Sequence, residues 1–231
     1  MNRPYARPAV RPFRSSLKLA GIALAAGLLA GCGLTPRAPL AVVDVPAQAS
    51  PMASAEALPL QLLVPEPQAS ALLDGTRILV RDEAGQLAQL AGVALPDRTP
   101  RWLQSQLLRA LSGSFAAAAA PGGGIKPDLQ LVLRIERFEL DYSAGAQARV
   151  ELHALLLDAA SARAVASARF VQDAPVEGGG SAAGAQTLQR AAHAAVFELA
   201  RWTTTQAAAA SERITDTDTA AAPQQDAAKG R

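Results

Sequence analysis

Few side chains in this 231-residue chain are equipped for chemistry: there is one cysteine, Cys32, and there are two histidines, His153 and His193. One thiol cannot build an intrachain disulfide framework, and two imidazoles argue against a histidine-built metal site. Cys32 follows Leu29-Ala30-Gly31, whose small residues let a peptidase reach the Gly31–Cys32 bond. Its thiol is the one side chain there that can become a thioether. His153 sits in the alternating stretch Glu151-Leu152-His153-Ala154 and is expected at or near solvent, whereas His193 belongs to a helical stretch, off its leucine stripe. A catalytic triad needs a nucleophile and an orienting carboxylate around the imidazole, and the chain has no Gly-x-Ser-x-Gly elbow. Asp82-Glu83 are paired carboxylates, but adjacent side chains on a turn point apart, so a solvated hairpin tip is expected. Gly122-Gly123-Gly124 and Gly178-Gly179-Gly180 lack the Gly-Lys-Ser/Thr of a phosphate loop and the dinucleotide spacing, and read as connectors. No catalytic residue, metal site or cofactor is expected.

The chemistry of Cys32 depends on what precedes it. Arg3, Arg7, Arg11, Arg14 and Lys18 lead into an uncharged apolar run from Leu19 to Ala30. A basic segment followed by 7–15 apolar residues is read as a secretory signal. The run is too short to cross a bilayer, which takes about 20 apolar residues. Leu29-Ala30-Gly31-Cys32 matches the lipobox of bacterial lipoproteins, so residues 1–31 are expected to be a signal peptide, cleaved between Gly31 and Cys32, with Cys32 the lipid attachment site. Each buried CH₂ is worth about 0.8 kcal/mol, and two or more acyl chains anchor stably. Gly33 stands where an inner-membrane retention aspartate would be, which favours the periplasmic face of the outer membrane.

The charge balance changes once that segment is set aside. Lys and Arg total 22 and Asp and Glu 20, but residues 1–31 hold five of the cations and no acid. From Cys32 onward, 17 basic residues face 20 acidic ones, a net charge of −3. A nucleic-acid binder needs a basic footprint on its folded part, so that class is excluded. Hydrophobic residues make up 50% of the chain but aromatics only 4%, because much of the apolar content is alanine.

The elements that must carry these residues lie between two loose ends. Residues 32–57, with Pro36, Pro39, Pro46 and Pro51 and no hydrophobic period, read as a lipidated N-terminus and tether. Residues 203–231, alanine tracts mixed with Thr, Asp and Gln, read as a disordered tail. In residues 58–202, Leu60–Val64 and Thr76–Arg81 are expected strands separated by Pro65-Glu66-Pro67. Asp82–Gly85 is expected to turn into a hairpin strand at Gln86–Leu90. Thr99-Pro100 reads as an N-cap followed by a first-turn proline, opening a helix whose apolar face is Leu103, Leu107, Leu108 and Leu111. Leu129, Leu131, Leu133 and Ile135 alternate with Gln130, Val132, Arg134 and Glu136, the period of a half-buried strand. The phase then slips to Phe138 and Leu140, predicting a bulge near Glu136-Arg137. Turns at Tyr142–Gly145 and Asp158–Ser161 fold the next two strands into an antiparallel meander. A last helix carries Leu188, Ala192, Ala195, Leu199 and Trp202 at helical spacing, and Trp102 and Trp202 are expected at the core margin. The fold class is α+β, a mainly antiparallel sheet with two amphipathic helices packed on one face.

Leu73-Asp74-Gly75-Thr76-Arg77-Ile78-Leu79-Val80-Arg81 and the helix end Leu107-Leu108-Arg109-Ala110-Leu111 resemble the ABC-type transport auxiliary lipoprotein family, the PqiC-like lipoproteins. Asp128 to Phe138, the turn Leu157-Asp158-Ala159-Ala160 and the closing helix through Trp202 are similar too. The family's first-strand aromatic and the tryptophan ahead of its first helix are replaced here by Leu60, Leu62 and Val93-Ala94. The resemblance implies a non-catalytic accessory of a lipid transport system built from an ABC permease, an ATPase and a periplasmic MCE-domain protein, the last being the implied partner. It also leaves room for a homo-oligomer docking onto a symmetric MCE assembly. The residues alone leave open a regulator of cell-wall synthesis or outer-membrane assembly, and, less favoured, a lipoprotein hydrolase.

Overall fold

A computed structural model describes residues 40–45 and 57–220; Gly31, Cys32 and the expected signal segment lie outside the described residues. In chain order the elements are β1 (Ala41–Val42), β2 (Leu58–Leu63), β3 (Leu79–Arg81), β4 (Leu87–Gln89), β5 (Val93–Ala94), α1 (Thr99–Ala110), β6 (Phe115–Ala119), β7 (Leu129–Asp141), β8 (Gln147–Asp158), β9 (Ala164–Pro175) and α2 (Gly180–Ala220).

The spine of the seven-stranded sheet is β7. Its side chains alternate in burial from Leu129 to Ile135, which is the period of a strand with one covered face. The apolar phase then slips by one residue at the register shift between Ile135 and Arg137, the expected bulge, and Phe138 and Leu140 resume on the covered side. One edge of β7 pairs antiparallel with β8 along its whole length, and β8 pairs antiparallel with β9. The other edge is shared: β2 pairs parallel at its start, Leu62 opposite Leu129, and β3 pairs parallel at its end, Leu79 opposite Glu139. The sheet is therefore mixed, with the long ladders antiparallel and the short ones mostly parallel. The β3–β4 hairpin turns at Gly85, φ +78°, a left-handed conformation that glycine adopts without steric cost.

Both helices cover the same face. Leu103, Leu107 and Leu111 are fully buried, as are Leu188, Ala192, Ala195 and Leu199, against Leu131, Phe138, Leu140, Val150, Leu152 and Leu156. Helix α2 packs tightly on the sheet at Gly184, where a Cβ would stand 2.6 Å from Leu140 Cδ1. Any larger residue there would force the Leu140 side chain to shift. Among the described residues no helix is long and apolar enough to cross a membrane.

Four features differ from the sequence reading. Helix α1 is capped by the Arg98 backbone, one residue earlier than expected, while Thr99 donates its hydroxyl to Gly75 O. Phe115–Ala119 is a strand, parallel to β2; its alanines gave no alternation to read, yet the backbone ladder needs none. Within residues 32–57, read as tether throughout, Ala41–Val42 pairs with β5. Finally, α2 runs through Thr203 to Ala220, and Thr203, Ala207 and Ala210 are buried, where a disordered tail was expected. Alanine is the best helix former, and Thr203, Thr204 and Thr205 satisfy their hydroxyls on the carbonyls four residues back. The stripe Leu199–Thr203–Ala207–Ala210 thus continues the apolar face in small residues.

Candidate functional site

The helix-free face of the meander carries a lattice of charge. The alternation that sends leucines into the core sends Arg137, Glu139 and Asp141 of β7, Arg149, Glu151 and His153 of β8 and Arg169 and Asp173 of β9 to this side, joined by Arg81 of β3. The registers set Arg137 opposite Glu151, Glu139 opposite Arg149, Arg149 opposite Asp173 and His153 opposite Arg169. Opposite-charge cross-strand pairs stabilise a sheet. Arg81 donates two hydrogen bonds of 3.0 Å to Glu139, a bidentate geometry that is stronger than a point contact. Arg169 Nε donates to Glu151 at 2.7 Å, and Arg149 lies 3.2 Å from Asp141 and 3.7 Å from Asp173. Between them lies an open depression of about 250 Å³ lined by Arg137, Arg149, Val150, Glu151, Arg169, Val171 and Asp173.

The electrostatics hold Asp141 and Glu151 ionised. The Ser143 hydroxyl and backbone N–H, with Arg149 and Arg81 nearby, keep Asp141 below the usual carboxylate range against the opposing effect of burial. Arg169, with weaker help from Arg137 and His153, does the same for Glu151. In return the Arg81 guanidinium is raised by its bond to Glu139, and Arg169 by Glu151. Carboxylates whose lone pairs accept from arginine and serine have no proton to give at neutral pH. The lattice ties strands together: Glu139 and Asp141 are buried, and the charge left at the surface belongs mainly to Arg137, Arg149 and Arg169.

The residues singled out by sequence are scattered around it. His153 is exposed, 3.7 Å from Glu151 Oε1. Asp158 accepts from the Ser161 backbone and hydroxyl at 2.7 and 2.6 Å, a turn-closing role that lowers its pKa. Asp82 accepts from Ala84 and Gln86 at the hairpin tip. The structure brings none of these together into a nucleophile–base pair, and among the described residues no three His, Cys, Asp or Glu side chains are grouped to hold a metal.

Trp102 and His193 differ from expectation. Trp102, placed at the core margin by sequence, is 3% exposed. Its ring meets Phe138 edge-on at 6.0 Å and His193 at 5.5 Å. His193, expected off the apolar stripe, therefore lies in the α1–α2 seam, and its buried Nε2 has no hydrogen-bond partner among the described residues. Trp202 remains half-buried against Phe170. Nearby, the wholly buried Gln189 fastens the N-terminal segment: Val45 N–H donates to its Oε1 at 2.6 Å, and its Nε2 donates to Val43 O. Only a fold in hand could find that clamp, because its partners are 144 and 146 residues away.

Burial pushes the His193 pKa down, with Arg109 adding to the effect and Asp44 opposing it. A folded pKa below the unfolded value of about 6.5 means that the unfolded chain binds more protons once pH falls below 6.5, so this contribution is full above 6.5 and is lost as pH drops through the folded pKa. The melting temperature should decline from about pH 6.5 downward, before the carboxylates Asp141, Glu151 and Asp158 begin to titrate. His193→Leu should flatten that upper part of the curve; an unchanged profile would exclude His193 as its source.

Comparison with known proteins adds what the geometry alone does not supply. Residues 42–200 match the family of ABC-type transport auxiliary lipoprotein components. The chain belongs to this family. No curated protein matches it. Among solved structures, a DUF330 protein from Xanthomonas campestris is similar at 29% identity and a TM-score of 0.66, covering 75% of this chain and 99% of that one. A crystal structure of an uncharacterized protein is similar at 14% identity and a TM-score of 0.53, over 64% and 94% of the two chains. A putative lipoprotein from Caulobacter crescentus shares 20% identity at a TM-score of 0.39, over 63% and 90%. As a member of the auxiliary lipoprotein family, the chain is a component that serves a transporter.

Proposed function

We propose that this protein is a non-catalytic docking component of an ABC-type lipid transport system, lipidated at Cys32, held at the periplasmic face of the outer membrane and engaging a periplasmic MCE-domain protein. Family membership over residues 42–200 carries the reading. The charged sheet face supports it: its acids are taken up in pairing, and Arg137, Arg149 and Arg169, 31–58% exposed, are left to meet a partner. Energy for transport would come from the ATPase of the partner system, and this chain would position the assembly at the receiving membrane.

The test is crosslinking in cells that make the full chain, followed by identification of what is captured. Recovery of an MCE-domain protein is the expected result. Capture of cell-wall synthases or outer-membrane assembly factors in its place would overturn the lipid-transport reading.

A further inference from the structure

At the margin of the sheet, β9 runs for twelve residues, Ala164–Pro175, and pairs only with β8 among the described strands. An open edge is a template for another strand, and proteins usually blunt one with charged side chains, lysine above all, with proline or with bulges. The stretch Ser167–Asp173 has no lysine, proline or bulge, and its two charges, Arg169 and Asp173, are of opposite sign. Its register with β8 is unbroken, and the irregularity lies beyond it, opposite Leu156–Leu157.

The backbone of this stretch faces outward at known positions. Val176 N–H donates to Ala146 O at 2.9 Å, on the β8 side. Groups in an antiparallel ladder alternate in direction, so Ala174, Gln172 and Phe170 face β8, whereas Asp173, Val171 and Arg169 offer their N–H and C=O groups to the open edge. Pro175, lacking an N–H, occupies an outward position, where the β8 ladder loses nothing. The side chains at the same positions are Arg169, 58% exposed, Val171, 46%, and Asp173, 48%: a cation and an anion placed symmetrically about a valine.

We propose that β9 pairs antiparallel with β9 of a second copy of this chain, about a two-fold axis through Val171. In that register Arg169 faces Asp173 of the second copy, and the reverse pair forms on the other side of the axis, as a closed two-fold interface requires. Because Arg169 already bonds Glu151 and Asp173 lies near Arg149, the charges alternate across the axis from Glu151 through Arg169 to Asp173 and Arg149 of the second copy. Sliding the register to centre on Arg169 or on Asp173 would set like charges face to face, which is destabilising. The self-complementary charge order is what selects a second copy as the occupant over an unrelated strand.

Cysteine crosslinking of the purified full chain tests this. At the axis, two residues of a hydrogen-bonded pair lie about 5.5 Å apart, within the span of a disulfide. Val171→Cys should therefore give a covalent homodimer under mild oxidation. Ser167 would lie about 27 Å from its copy at about 3.4 Å per residue, so Ser167→Cys should match the parent chain, whose single cysteine is Cys32. In sedimentation, Asp173→Arg should weaken self-association at least tenfold by opposing Arg169, and adding Arg169→Asp should restore it. A Val171→Cys chain that crosslinks no better than the parent or no better than Ser167→Cys overturns the proposal, as does an Asp173→Arg chain that associates normally.

Discussion

A chain carrying Leu131→Asp is expected to lose its cooperative melting transition. Leu131 is fully buried near the start of β7, opposite Leu156, which is also fully buried. An aspartate there removes a packed leucine, a loss of about 2–5 kcal/mol when the replacement is small, and buries a carboxyl group with no cation on that side of the sheet. The acid would have to stay protonated or disrupt the core, adding several kcal/mol. Domains of this size have total stabilities of about 5–15 kcal/mol, so the combined cost consumes most or all of the fold. Arg134→Ala, three residues along the same strand on the charged face, is the contrast. Its side chain is 63% exposed, 3.6 Å from Glu136, and exposed pairs are worth about 0–1 kcal/mol. Thermal unfolding followed by circular dichroism checks both, and a Leu131→Asp domain that melts near the parent temperature would mean that β7 is not the buried spine.

Cys32→Ser should abolish attachment while leaving the domain folded. A serine hydroxyl cannot replace the thiol in a thioether, so the precursor should stay uncleaved at Gly31–Cys32 and take up no radioactive fatty acid. The effect is all-or-none because the chain has no second cysteine to substitute. The expected phenotype is loss of transport with an unchanged melting temperature, since the substitution touches none of the described core residues. Normal cleavage and labelling of the serine variant would refute the lipid-attachment site.

The two predictions differ in how far each can be reasoned from sequence. The Cys32 expectation is local: it rests on Leu29-Ala30-Gly31-Cys32 and the apolar run before them, and needs no tertiary contact to be argued. The alternation of β7 and β8, the bulge between Ile135 and Arg137, the β3–β4 hairpin and the apolar face of α1 are local as well. Each is a period written by side chains that must choose between core and water. That is why the sheet meander and the two covering helices were legible.

Where side chains are small or the partner is distant, the sequence carried no such period. The alanines of β6 and of α2 beyond Thr203 have too little apolar area to announce a face, and backbone hydrogen bonds and close packing against neighbours decided their state. The placement of His193 against Trp102, the Gln189 clamp on Val43 and Val45, and the bidentate Arg81–Glu139 pair join residues from 58 to 146 positions apart or from different helices. The sequence alone established an acidic body after a basic N-terminal segment, few reactive groups and a single thiol in a stretch that matches a lipobox. Only the tertiary structure decided which charges share a face and which strand edge stays open, because those depend on the register of β7, β8 and β9, and register is fixed by packing on the opposite side of the sheet.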